Sequence, residues 1–219
     1  MHRFFSICTV CALLSACVAR PALSNFTAST GSPRVAEQLA VRFEKADLSL
    51  RVDPAAKRIN GDAVLTFAIT APLARIALEL DRDLVVSFAS IDGVALAPGA
   101  ISNAEGRLFL TLPSPLAAGA RTSVRVRYAG VPHVAKNAPW EGGFIWSTTS
   151  DGKPWIATAV EGEGCDLFWP CIDHPQGKPE AVDLHISVPA PLVAASNGVA
   201  MGMDERDGWR TYHSRYRSR

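Results

Sequence analysis

Between Gly142 and Pro175 the acidic residues Glu161, Glu163, Asp166 and Asp173 are interleaved with glycines and aromatics, and Trp146, Trp155 and Trp169 lie in the same stretch. This composition suits recognition rather than bond breaking: a loop-rich surface of carboxylates and rings carried on a rigid sheet. A second reading fits the same residues, with the tryptophans in the core and the acids in solvated turns. Spacing alone does not choose between them.

Catalytic constellations are missing from the sequence. It has no Gly-x-Ser-x-Gly elbow, no phosphate-binding loop and no dinucleotide fingerprint. The histidines are His2, His133, His174, His185 and His213, and none belongs to a His-Glu-x-x-His pair that would set two imidazoles on one helical face around zinc. A catalytic zinc needs about three converging protein ligands, so no catalytic residue and no metal ligand is assigned. His174 reads as a surface or turn residue, and His185 lies on the polar face of its strand without an obvious partner.

The elements that carry the acidic and aromatic segment read as short strands. Leu65, Phe67 and Ile69 share one face of 62–70, Leu108, Leu110 and Leu112 one face of 107–112, and Val124, Val126 and Tyr128 one face of 122–128. Val182, Leu184, Ile186 and Val188 alternate with Asp183, His185 and Ser187 until Pro189 ends the run. Asp53-Pro54, Asn60-Gly61, Asp92-Gly93, Asp151-Gly152 and Asn197-Gly198 supply turn signals between such runs, and no stretch has convincing helical periodicity. The expected fold is all-β, an antiparallel β-sandwich or a saddle-like sheet domain. Gly208 to His213 resembles the start of a strand that finds no partner before the chain stops, which reads as the truncated or frame-shifted end of a longer protein, with a natural basic tail as the alternative.

Met1-His2-Arg3 followed by the apolar run from Phe4 to Ala16 is an export signal, too short for the about 20 residues of a spanning helix. Leu14-Ser15-Ala16-Cys17 resembles a lipobox, which makes Cys17 the lipidation site and the membrane a partner through that anchor; ordinary cleavage near Ala16 is the alternative. The chain therefore divides into a signal peptide with lipobox at 1–17, a flexible tether at 18–38 and a β domain at 39–219. The location is the cell envelope, as a lipoprotein or in the periplasm, or secretion. With 22 basic and 21 acidic residues no long-range field attracts nucleic acid. Only Cys165 and Cys171 remain in the domain, either as a disulfide or as two buried thiols.

The segment Trp155-Ile156-Ala157-Thr158 leading to Glu161, then Phe168-Trp169-Pro170-Cys171-Ile172-Asp173-His174-Pro175, Lys178-Pro179 and Ser196-Asn197-Gly198 resembles the N-terminal domain of M1 zinc aminopeptidases, the aminopeptidase N and leukotriene A4 hydrolase group. Leu48 to Asp53, Ile59-Asn60-Gly61 and Leu78-Glu79-Leu80-Asp81 extend the resemblance toward the start of the domain. It implies that a separate, following domain carries the His-Glu-x-x-His zinc site, so that zinc is the cofactor of the full-length enzyme and none is bound by this chain. It also implies that this domain caps that site and that Glu161 binds the free α-ammonium of a peptide substrate, through a charge-assisted hydrogen bond in a partly dehydrated pocket. Ala159 stands where family members often have Gln, Cys165-Asp166-Leu167 where many have an Arg, and His174 where Asp-Glu-Pro is common. The expected function is thus the cap and substrate-recognition domain of an aminopeptidase whose catalytic domain is absent from this chain, inactive alone, with the peptide N-terminus and that missing domain as partners. The alternative is a non-catalytic envelope lipoprotein that binds peptides or a protein partner.

Overall fold

In a computed structural model the described residues are 27–28 and 30–217; the export segment 1–17, with Cys17, lies outside them. Thirteen strands follow a short helix, α1 (Ala36–Leu39): β1 (Val41–Asp53), β2 (Arg58–Ile69), β3 (Leu73–Glu79), β4 (Val85–Ile91), β5 (Val94–Ala95), β6 (Ile101–Ala104), β7 (Arg107–Leu116), β8 (Arg121–Gly130), β9 (Gly143–Thr148), β10 (Pro154–Ala159), β11 (Ala181–Pro189), β12 (Val199–Arg206) and β13 (Trp209–Arg217). They form an eight-stranded sheet in the order β12-β13-β11-β1-β2-β8-β4-β5, a three-stranded sheet β3-β7-β6 and the hairpin β9-β10.

Alternation decides which faces meet. Leu48 and Leu50 of β1, Leu65 and Phe67 of β2 and Val124 and Val126 of β8 turn to one side of the large sheet, where they share one core with Ile76 and Leu78 of β3 and Leu108 and Leu110 of β7. Each of these side chains removes apolar surface from water at about 25 cal/mol per Å². The strands expected at 107–112, 122–128 and 182–188 fall within β7, β8 and β11, and the one expected at 62–70 ends one residue past β2, so the all-β class holds.

Four expectations need correction. The large sheet is not wholly antiparallel: β1 and β11 run parallel from Lys45 opposite Ala181 to Arg51 opposite Ser187. A parallel pair needs a long crossover, and here the chain from β2 to residue 180 makes it. Asn60-Gly61 is no turn; both residues sit in the β1–β2 ladder opposite Arg51 and Leu50. Glycine is needed at 61 because a Cβ there would lie 2.0 Å from Cζ of Tyr128. The segment at 209–217 is fully paired, with β11 on one side and β12 on the other. Finally, the end of the stretch read as a tether packs on the domain: Gln38 of α1 is buried and its amide donates to both carboxylate oxygens of Glu79, at 2.7 and 2.8 Å. A buried carboxylate requires such donors, which draws residues 36–39 into the folded body.

Candidate functional site

The site is built on the hairpin β9-β10 and the chain that leaves it. Beyond Ala159 the backbone closes a turn in which the amides of Glu163 and Gly164 donate to the carbonyl of Val160, at 3.2 and 3.0 Å. Glu161 sits in this turn, exposed to solvent. Gly164 takes φ of 99°, and a side chain there would strike the carboxylate of Asp173, 2.1 Å from the Cβ position. Such a conformation and approach favour glycine.

Immediately after the turn, residues Cys165–Leu167 form a 3-10 turn, and four attachments hold it. Cys165 and Cys171 are joined by a disulfide, with Cα atoms 6.3 Å apart, so of the two alternatives the cystine is the one formed. Cys171 adds to the free edge of β3, exchanging backbone hydrogen bonds with Glu79 at 2.7 and 3.0 Å. The amide of Asp81 donates to the carbonyl of Asp166 at 2.9 Å. The hydroxyl of Tyr128 donates to the carbonyl of Phe168 at 2.7 Å.

The three tryptophans divide between the two readings. Trp169 is core, its ring 6.2 Å from Phe43. Trp146 is half-buried and stacks on Phe144 at 5.4 Å. Trp155 is 59% exposed. The acids divide as well: Glu161 faces water, Glu163 is half-buried and accepts from the Thr27 hydroxyl at 3.2 Å, and Asp166 is completely enclosed. His174 is a turn residue whose Nδ1 accepts from the amide of Gln176 at 3.1 Å.

Glu79 and Asp81, at and just beyond the end of β3, were not picked out by spacing. Both are buried against the inner side of the Glu161 segment. Glu79 is met by Gln38, by Arg107 Nη2 at 3.3 Å and by the amide of Asp173 at 3.1 Å. Burial pushes the carboxyl of Asp81 up to about 6. Burial, and then the neighbouring charge of Asp173, pushes Asp166 up to about 9. Two acids alternating with Leu78 and Leu80, both of which are buried, were the available sign.

His185 does have a partner. Its Nδ1 lies 2.6 Å from Nδ1 of His213 on β13, and the outer nitrogens approach Asp47 at 3.4 Å and Asp204 at 3.0 Å. Among the described residues no three His, Cys, Asp or Glu side chains are placed to hold a metal ion. A zinc site therefore does not fit these residues. No helix among the described residues is long and apolar enough to cross a membrane.

Residues 40–216 match the model of the Peptidase M1 N-terminal domain. The chain belongs to the M1 peptidase family. Among solved structures, an M1 zinc metallopeptidase from Deinococcus radiodurans is similar at 26% identity with a TM-score of 0.66, over 81% of this chain and 39% of that one. A mutant of the Deinococcus radiodurans enzyme bound to a Tyr-Ser-Ala substrate gives 28%, 0.65, 80% and 39%. A two-domain M1 zinc metallopeptidase mutant bound to L-tryptophan gives 28%, 0.64, 80% and 39%. The chain thus spans about two fifths of the length of these M1 relatives. None of the curated proteins matches it.

Proposed function

We propose that this M1 N-terminal domain is the substrate-recognition cap of an aminopeptidase, with Glu161 accepting the free α-ammonium of a peptide while a following domain supplies zinc and hydrolysis. The observation that carries the reading is the exposed carboxylate of Glu161 on a turn fixed to β3 through the disulfide-bridged segment behind it. The fixed backbone of the turn limits where this carboxylate can reach, and a charge-assisted hydrogen bond to an ammonium is stronger than a neutral one. A peptide with a blocked N-terminus would leave the carboxylate unpaired and be rejected for that reason. The export segment 1–17 and a lipid on Cys17 would place the enzyme at the cell envelope.

The test is the intact mass of the native product together with the coding sequence beyond residue 219. A product several hundred residues longer that contains His-Glu-x-x-His is expected, and a lipid-modified N-terminus at Cys17 would appear in the same mass. A product that ends at Arg219 would replace this reading with a non-catalytic binding module.

A further inference from the structure

The inner side of the Glu161 turn holds a carboxyl group that substrate contact does not use. Asp166 is completely enclosed, and its oxygens have no hydrogen-bond partner apart from a contact with its own backbone amide. Three other acids face it: Glu79 from β3, Asp81 just beyond β3, and Asp173 from the segment after Cys171. No cation is paired with Asp166 itself. Arg107 from β7 is engaged at Glu79, together with Gln38 from α1, and His133 acts on Asp81. Asp81 Oδ1 accepts from the amide of Asp83 at 2.8 Å, and Asp173 Oδ1 accepts from the amide of Cys165 at 3.4 Å. An ionised Asp166 would thus be a desolvated charge against like charges, the least favourable arrangement for a carboxylate.

We propose that Asp166 is a positioning residue for the Glu161 turn: as an uncharged acid it lets residues 160–171 lie against the edge of β3, and loss of its proton to solvent hydroxide, forming water, releases them. Burial and Asp173 set the ionisation of the closed form near 9. The sign follows from the unfolded chain, where the same group ionises near 3.8. Between those values the folded form keeps a proton that the open form gives up, so rising pH favours opening. Above about 9 the closed form must itself carry the charge. The attachments that would yield are the Asp81–Asp166 and Cys171–Glu79 backbone bonds, while the cystine keeps the released segment in one piece. The consequence for peptide turnover rests on the role proposed for Glu161; the latch itself does not.

The experiment is amide hydrogen exchange on this chain from about pH 6 to about pH 10, corrected for intrinsic base catalysis and referenced to β2. Protection of 160–171 is expected to fall on the order of tenfold per pH unit up to about 9 and to level off above it while β2 keeps its protection, and Asp166→Asn is expected to abolish that dependence. If the Asn variant does not fold, the carboxyl carbon of Asp166 in the unmodified chain reports directly by NMR, with an expected midpoint near 9. A midpoint in the ordinary carboxylate range, an Asn variant with unchanged pH dependence, or removal of the transition by added calcium would each overturn the proposal. Glu161→Ala leaves this exchange profile unaltered, so failure of the substrate-contact reading and failure of the latch are separate results.

Discussion

The ring of Tyr128 occupies the space above Gly61 and carries its hydroxyl to the carbonyl of Phe168, 2.7 Å away. A bare backbone position in β2 thereby lets a β8 side chain reach across the core and fix the segment that follows the Glu161 turn. Gly61→Ala should displace the ring and cost about 1–3 kcal/mol of stability through overpacking. Tyr128→Phe should cost about 1–3 kcal/mol by leaving the Phe168 carbonyl buried and unpaired. Urea unfolding measures both, and a neutral Gly61→Ala would show that the ring has room to move.

The cystine is expected to stabilise the domain by limiting the unfolded chain. Closing a loop of about seven residues gives roughly 2 kcal/mol in the chain-entropy account. Replacing Cys165 and Cys171 together by Ser should lower the urea midpoint accordingly and raise amide exchange in 160–171 more than in β2. Equal exchange in both variants would mean that the backbone bonds to β3 suffice.

On the outer part of the large sheet, Asp183 receives Arg215 Nε at 2.5 Å and Lys45 Nζ at 2.7 Å. The hydrogen bond from Arg215, with help from Lys45, lowers its carboxyl to about 2 from 3.8. The group therefore adds stability that is complete above about 4 and is lost as pH falls through about 2. Both cations are partly exposed, so the contribution is about 1–2 kcal/mol after solvent screening. Thermal unfolding of Asp183→Asn should show a shallower acid limb than the unmodified chain, and an identical limb would assign acid sensitivity elsewhere.

Asp166 acts in the opposite direction on global stability. Because its folded form retains the proton, the domain should lose stability steadily as pH rises between about 4 and about 9. Asp166→Asn should be more stable than the unmodified chain at neutral pH, by denaturant unfolding, and equal to it near pH 4. A less stable Asn variant at neutral pH would mean that the carboxyl makes a favourable contact.

The strands were legible because their apolar residues alternate over short runs: Leu65, Phe67 and Ile69 announce β2, and Val182 to Val188 announce β11. What stayed hidden depends on residues far apart in sequence. Nothing near Leu48 indicates that it runs parallel beside Leu184, and the turn character of Asn60-Gly61 is overridden by the ring of Tyr128. His185 lacked a visible partner because its partner stands directly opposite on β13, twenty-eight positions along the chain. Glu161 was identified through resemblance to M1 enzymes, and its exposed turn is compatible with that role. Asp166 was hidden for another reason: Gly164-Cys165-Asp166 has the composition of a solvated turn, and only the disulfide and the bond from Asp81 turn its carboxyl inward.

The measurement that bears most directly on the account is kcat/KM for a free-N-terminus tripeptide and for its N-acetylated form, with Glu161 intact and as Glu161→Ala, in the longer product that the proposal expects to carry His-Glu-x-x-His. The account expects the substitution to lower kcat/KM on the free peptide by a factor on the order of 10 to 1,000, about 1.4 to 4 kcal/mol, and to narrow the preference over the blocked peptide. An unchanged kcat/KM with an unchanged preference would contradict it and remove Glu161 from the site.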